Sequence, residues 1–192
     1  MIIHKLGIIK YQQAYLKMQQ IHNRAIEDGC NHLICCSHLP IFTIGKDDNN
    51  SWDVDVYRSD RGGSITAHSL GQSVFYFCFQ VSNPILFYRK VLYSFDKFFD
   101  ELLPQVRYDK TKPGYYIDNR KIASLGFRYS NGVSMHGVAL NVDVDLDFHS
   151  KVNPCGLKDI IPTSLANEGV VLSIDEANSR VINSIQRVFD GI

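Results

Sequence analysis

Residues 115–142 read Tyr115-Tyr116-Ile117-Asp118-Asn119-Arg120-Lys121-Ile122-Ala123-Ser124-Leu125-Gly126-Phe127-Arg128-Tyr129-Ser130-Asn131-Gly132-Val133-Ser134-Met135-His136-Gly137-Val138-Ala139-Leu140-Asn141-Val142, and this stretch decides the architecture. Tyr115 to Ile117 is short, aromatic and β-branched, Asp118-Asn119 is a turn pair, and Lys121 to Tyr129 is a second extended run. Ser130-Asn131-Gly132 then turns the chain into Val133 to Val142. Both turns carry hairpin chemistry, because Asn, Asp and Gly tolerate the positive φ that tight hairpins require. The stretch therefore predicts a meander of three antiparallel strands.

Further strands are expected at Leu33 to Cys36, Ile41 to Ile44, Val54 to Tyr57 and Ser73 to Phe79, which are β-branched or aromatic and bounded by turn residues. Three helices frame them. Tyr11, Tyr15, Met18, Ile21, His22 and Ala25 keep helical spacing before a stop at Gly29. Tyr88, Val91, Leu92, Phe95, Phe98, Phe99 and Leu102 form one stripe between Pro84 and Pro104, where proline suits a first helical turn and then a stop. Ser173 and Glu176 make a capping box ahead of Ile174, Ala177, Val181, Ile185 and Val188. The order of elements predicts an α/β (α+β) domain on a mixed, largely antiparallel sheet flanked by helices. A single domain is expected over residues 1–192, with a main lobe over about 1–150 and a small C-terminal lobe over about 151–192.

Length and composition agree with one globular unit. The 192 residues are 45% apolar and 21% charged, which suits a packed core and not disorder. The 20 Lys and Arg balance the 20 Asp and Glu, so general nucleic-acid or membrane binding is not expected. Five cysteines without a CxxC pair point away from a disulfide scaffold or a structural zinc site. Met1-Ile2-Ile3-His4-Lys5 has no signal-peptide layout, and the longest apolar run, Val74 to Phe79, is too short to span a bilayer. A cytoplasmic protein is expected.

Among the cysteines, Cys155 stands apart. It sits in Asn153-Pro154-Cys155-Gly156, a bend with little bulk around the thiol, whereas Cys30, Cys35, Cys36 and Cys78 lie at a helix end or in apolar runs and are expected as small buried hydrophobes. The seven histidines show no HxxxH or HExxH spacing, so no metal is expected. Val142 to Asp147 alternates apolar and acidic residues and reads as a strand with three carboxylates on a solvated face. Thr43-Ile44-Gly45-Lys46 lacks the earlier glycine of a phosphate loop, and no GxGxxG occurs, which disfavours ATP- or NAD-driven chemistry. Arg61-Gly62-Gly63 combines backbone freedom with a cation, a weak ligand signal that a hairpin turn explains equally well.

Taken in order, these segments resemble the lipoyl(octanoyl) transferases of the biotin/lipoate protein ligase-like family. His38 to Gly45 is similar to the family's H-P-P-hydrophobic-aromatic-T-hydrophobic-G segment, and Arg61 to His68 to its R-G-G-x-x-T-Y-H loop. Lys121 to Gly126 matches K-I-A/C-S/A-hydrophobic-G, His136 to Asn141 matches H-G-hydrophobic-A-L-N, and Pro154-Cys155-Gly156 matches P-C-G. The resemblance implies that Cys155 is the nucleophile holding the acyl group as a thioester and that Lys121 is its partner. It further implies an acyl-substrate pocket lined by Arg61, Gly62, Gly63, Ser64, Ile65, Thr66, Ala67 and His68. Ser124, Leu125 and Gly126, with His136, Gly137 and Val138, would complete that pocket. No cofactor is implied. The donor would be octanoyl-acyl carrier protein. The acceptors would be lipoyl domains of 2-oxoacid dehydrogenase complexes and the glycine cleavage H protein.

Three positions depart from the family's T-Y-H-G-P-G-Q: Ala67 replaces Tyr, Ser69 replaces Gly and Leu70 replaces Pro. These changes bear on acyl-chain preference and turnover. An ATP-dependent lipoate-protein ligase of the same fold, a non-catalytic module binding lipoyl or acyl-carrier domains, and a thiol hydrolase are the rival readings. Residues 107–128 carry six positive side chains against Asp109 and Asp118, a net +4 in an otherwise neutral chain, and form a candidate docking face for an acidic carrier protein.

Overall fold

The computed structural model describes residues 1–152 and 160–191. Its main sheet has the strand order β1-β2-β6-β10-β9-β8-β7, with β11 added on β9. The strands are β1 (Ile2–Ile9), β2 (His32–His38), β6 (Gln72–Cys78), β7 (Arg107–Asp109), β8 (Gly114–Ile117), β9 (Arg120–Ser130), β10 (Val133–Asn141) and β11 (Ile161–Pro162). A second sheet of three short strands has the order β4-β3-β5, formed by β3 (Ile41–Ile44), β4 (Val56–Arg58) and β5 (Thr66–His68). Most pairings are antiparallel, but β1 runs parallel to β2, β3 to β4 and β11 to β9.

The meander of residues 115–142 is present as β8, β9 and β10. Asp118 and Asn131 take positive φ at 53° and 51°, and Gly132 follows at 74°, so each hairpin turn rests on residues that tolerate left-handed backbone. α1 (Tyr11–Asp28) ends on Gly29 at φ 67°, whose N–H closes on Ala25 O. α2 (Pro84–Leu102) has Asn83 as N-cap, accepting from Ile85 N and Leu86 N. α4 (Ile174–Phe189) opens with the Ser173–Glu176 capping box.

The sheet has two differently built faces. Ala14, Met18, Ile21 and Ala25 of α1 pack on Ile34, Val74, Cys78 and Ala139. On the other face, Phe95, Phe98 and Phe99 of α2 meet Phe75, Phe77, Tyr115 and Leu140, with Ala177, Val181 and Ile185 of α4 in the same core. The described part of the segment beyond residue 150 adds a strand to the main sheet and a helix to its core. A third, smaller cluster of Phe42, Ile44, Ile65, Ala67 and Val152 fills the space under the small sheet.

Two readings of the sequence need correction. Residues 142–147 do not form an acidic strand. β10 stops at Asn141, and Asp145 caps α3 (Leu146–Ser150) by accepting from Phe148 N. A short polar side chain three residues ahead of a free N–H competes with the strand that alternation suggests. Cys30 is exposed, while Cys35, Cys36 and Cys78 are buried as expected. Burial pushes the thiols of Cys35 and Cys78 up to about 12, so they are inert as nucleophiles. Cys155 lies outside the described residues.

Candidate active site

The two sheets meet along the segment that links β4 to β5, residues 59–65, and glycines allow that contact. A Cβ on Gly45 would stand 1.8 Å from Gly63 O, and one on Gly126 would stand 2.7 Å from Gly62 O. Backbone therefore lies directly on backbone here, with Gly62 N donating to Phe127 O at 3.2 Å.

Three adjoining cavities open at this junction. The largest, about 320 Å³, is walled by Arg61 to Thr66, by Lys121, Ser124, Leu125 and Gly126, and by an aromatic rim of Tyr88, Tyr116, Phe127 and Tyr129. An inner space of about 30 Å³ is lined by His68, His136, Gly137 and Val138, with Leu125, Val74 and Tyr76. A third, about 40 Å³, is lined by Ile65, Thr66, Ala67, Lys121, Ser124, Asn141 and His149. Thr66 and Ser124 belong to all three. Every pocket residue named from the sequence thus lines one of these spaces. Lys121 stands where the largest meets the third, at the polar end, and Val138 and Leu125 stand at the more apolar inner end.

Lys121 is fixed by its strand and by its neighbours. Its carbonyl accepts from Thr163 N at 2.9 Å, Pro162 of β11 pairs with it, and its ammonium lies 5.6 Å from the centre of the Tyr116 ring. Gly114 makes room for the side chain, since a Cβ there would stand 2.7 Å from Lys121 Cε. Val152 and Ile160 both line the third cavity, and Cys155 belongs to the seven residues between them in the sequence.

A continuous hydrogen-bond relay backs the pocket. Arg61 donates to Thr43 O at 2.8 Å and to Thr43 Oγ1 at 2.9 Å. Thr43 Oγ1 is 3.2 Å from His68 Nε2, His68 Nδ1 is 2.7 Å from Gln72 Oε1, and Gln72 Nε2 donates to Asn141 Oδ1 at 2.9 Å. Asn141 Nδ2 donates to Thr163 O at 2.8 Å, which returns the relay to the strand beside Lys121. One direction of donation satisfies every member only if His68 carries its proton on Nδ1 and accepts on Nε2. Burial holds His68 well below its ordinary pKa, in the neutral form that the relay needs. Arg61 is buried too, and its donors go to carbonyl and hydroxyl oxygens, which leaves a positive charge set into the wall of the largest of the three cavities.

A second cluster ties the start of the same segment from outside. Asp60 accepts from His136 Nε2 at 2.6 Å and from the Arg128 guanidinium, and the Tyr15 hydroxyl also bonds it. Burial alone would raise this carboxyl, but the His136 and Tyr15 hydrogen bonds and the Arg128 charge hold it well below the usual carboxylate range. His136 takes φ 62°, a left-handed conformation that is strained for a residue with a side chain, and its buried Nδ1 has no hydrogen-bond partner among the described residues. Asp60, Tyr15 and His149 were not singled out by the sequence. Asp60 directly precedes the Arg-Gly-Gly run, which was its only signal.

The basic stretch at 107–128 is partly neutralised. Arg120 Nε lies 2.8 Å from Glu168 Oε1, and Arg128 is paired with Asp60. Lys112 remains on the rim of the largest cavity. Among the described residues no helix is long and apolar enough to cross a membrane, and no cluster of three or more His, Cys, Asp or Glu side chains is placed to hold a metal ion.

Residues 11–186 match the family described as lipoyl protein ligase A/B catalytic domain. The chain is 32% identical to an octanoyltransferase of Wigglesworthia glossinidia brevipalpis over 95% of its own length and 88% of that protein's. It is 33% identical to an octanoyltransferase of Chromobacterium violaceum, covering 97% of this chain and 94% of that one. Among solved structures, a lipoate-protein ligase A bound with ATP superposes with a TM-score of 0.76 over 98% of this chain and 85% of that chain, at 17% identity. The biotin protein ligase of Aquifex aeolicus superposes at 0.56 over 100% and 70%, at 12% identity, so the fold is shared with both ligase types. A family match across most of the chain and relatives above 30% identity over nearly all of it establish that this chain belongs to the lipoyl protein ligase A/B catalytic-domain family, as an acyltransferase of the octanoyltransferase type.

Proposed function

We propose that the protein takes an octanoyl group from octanoyl-acyl carrier protein as a thioester on Cys155 and passes it to a lysine of a lipoyl domain. The observation that carries this reading is the placement of Lys121 at the meeting of an acyl-sized cavity and a small one of mixed polar and apolar lining. The tail would lie in the largest of the three cavities, against Ile65, Leu125 and Phe127, with the carbonyl near Thr66 and Ser124 and the reacting end facing Lys121. Lipoyl domains of 2-oxoacid dehydrogenase complexes and the glycine cleavage H protein are the proposed acceptors. The part of the basic stretch around Lys110 and Lys112, with Lys112 on the rim of the largest cavity, is the proposed face for the acidic carrier.

The chemistry suits these residues. A free thiol titrates near ~8.5 and a lysine near ~10.4, so an ammonium beside a thiol favours the thiolate. Exchange between thioesters is nearly isoenergetic, and aminolysis to an amide runs downhill, so the transfer itself needs no ATP. In the second half-reaction a transiently neutral Lys121 would accept a proton from the attacking amine as the carbon–sulfur bond breaks.

The test is intact-protein mass after incubation with octanoyl-carrier protein in the absence of ATP. One octanoyl adduct is expected, absent in Cys155→Ala and transferred when a lipoyl domain is added. An adduct or product that forms only with ATP would establish the ligase reading instead. Release of octanoate without an acceptor would indicate hydrolysis. Binding of a lipoyl domain with no covalent change would mark a docking module.

A further inference from the structure

Two of the three departures from the family motif, Ala67 and Ser69, find a common partner in α3. Ala67 is buried and offers only a methyl group to the third cavity. The same cavity is lined by His149, whose Nε2 lies 2.9 Å from Ser69 Oγ. A glycine at position 69 would have no hydroxyl to make this bond. The neighbouring Phe148 stacks on Phe42 with ring centres 4.5 Å apart, so α3 is pinned to the small sheet on one side and to the Ser69 turn on the other. The ring of His149 is therefore held at two successive residues, at the wall of the chamber that also contains Lys121.

We propose that His149, positioned by Ser69, fills the space that an aromatic side chain at position 67 would occupy and is the wall that limits bulk beside the acyl carbonyl. The inference rests on the proposed orientation of the acyl group, carbonyl towards Lys121. At about 40 Å³ the chamber has room for no more than a few water-sized groups, each needing roughly 10–15 Å³, and not for a second ring next to the imidazole. Burial pushes His149 down to about 4, against the smaller opposing pull of Asp145, so at neutral pH the ring is uncharged. An uncharged ring is a poor proton acceptor there and a suitable surface for a neutral acyl group, which makes it a wall and not a base.

Four variants test this: Ala67→Tyr, His149→Ala, the double variant, and Ser69→Gly. Each is assayed with straight octanoyl, 2-methyloctanoyl and decanoyl carrier protein, and each is followed by thermal unfolding. Ala67→Tyr should overpack the chamber, lowering kcat/KM for octanoyl about tenfold or more and reducing the melting temperature. Adding His149→Ala should restore most of both. His149→Ala alone should raise the 2-methyloctanoyl-to-octanoyl ratio about fivefold or more, while the decanoyl-to-octanoyl ratio, read at the far end of the chain, stays within twofold. Ser69→Gly should move the branched-to-straight ratio in the same direction by less. A double variant no better than Ala67→Tyr, or a branched-to-straight ratio unmoved by His149→Ala, would overturn the proposal while leaving octanoyl transfer intact. If the parent protein transferred no octanoyl group, the functional reading would fall instead, and the unfolding data would still decide whether positions 67 and 149 share one space.

Discussion

The loop that walls the largest of the three cavities is tied down twice, in two different ways. From inside it is held by the buried relay of Arg61, Thr43, His68, Gln72 and Asn141, in which the Arg61 guanidinium donates to uncharged oxygens and His68 is neutral. From outside it is held by Asp60, a partly exposed carboxylate gripped by His136, Arg128 and Tyr15. The comparison separates rigidity from strength of charge. Buried relay members have no water to fall back on, so their loss leaves polar groups stranded. The rim cluster can trade a protein partner for solvent, so its loss is milder despite the shorter, charge-assisted contacts.

The largest expected effect is on the inner tie. Gln72→Leu removes the acceptor of His68 Nδ1 and the donor to Asn141 Oδ1 and Ala67 O at one stroke, taking a hydrogen bond from three buried groups. Denaturant unfolding should show a loss of about 3 kcal/mol. A loss below about 1 kcal/mol would mean that the relay is not the rigid member of the pair. Next in size is the backbone contact between the two ties. Gly45→Ala forces its methyl against Gly63 O and should cost about 1–3 kcal/mol and raise KM for the acyl donor, because the cavity wall itself is displaced. An unchanged KM would show that the wall does not define the acyl site.

The smallest effects, and the sharpest separation, come from pH. His68 is kept neutral by burial, so its folded pKa lies below the unfolded value of about 6.5. The unfolded chain binds the proton more readily, and stability is lost as pH falls below about 6.5. His38 and His136 are depressed by burial as well and contribute in the same window. Asp60 is depressed in the folded state, so its contribution is full above about 3.9 and is lost only as pH falls below that. Asp60→Asn should therefore flatten the stability profile below about pH 4 and lower the neutral-pH plateau by about 1 kcal/mol, while leaving the slope between 6.5 and 4.5 in place. His68→Gln should do the reverse. Matching profiles for the two variants would collapse the distinction between the ties.

Local signals carried the frame of this molecule but not the contacts that complete its site. Asn131-Gly132, the prolines around α2 and the Ser173–Glu176 box each act within a few residues, and each element stands where its signal lies. β1 escaped notice because it pairs on one edge only and carries Lys5 and His4 among its aliphatics, which blurs a period of two. The alternation at 142–147 misled for the opposite reason: the period was present, but Asp145 served as a cap. The cavity residues were visible as motifs, whereas Asp60 meets Arg128 and His136 across 68 and 76 positions, and Ser69 meets His149 across 80. No window on the sequence spans such separations.

The short pairing of β11 with β9 sets a timetable for synthesis. Lys121 receives its neighbour Pro162, and Asn141 its acceptor Thr163, only after some forty and twenty further residues have been made. A chain still growing on the ribosome can therefore assemble the loop and the sheet but not the chamber. Lys121 therefore acquires its finished surroundings among the last contacts to form.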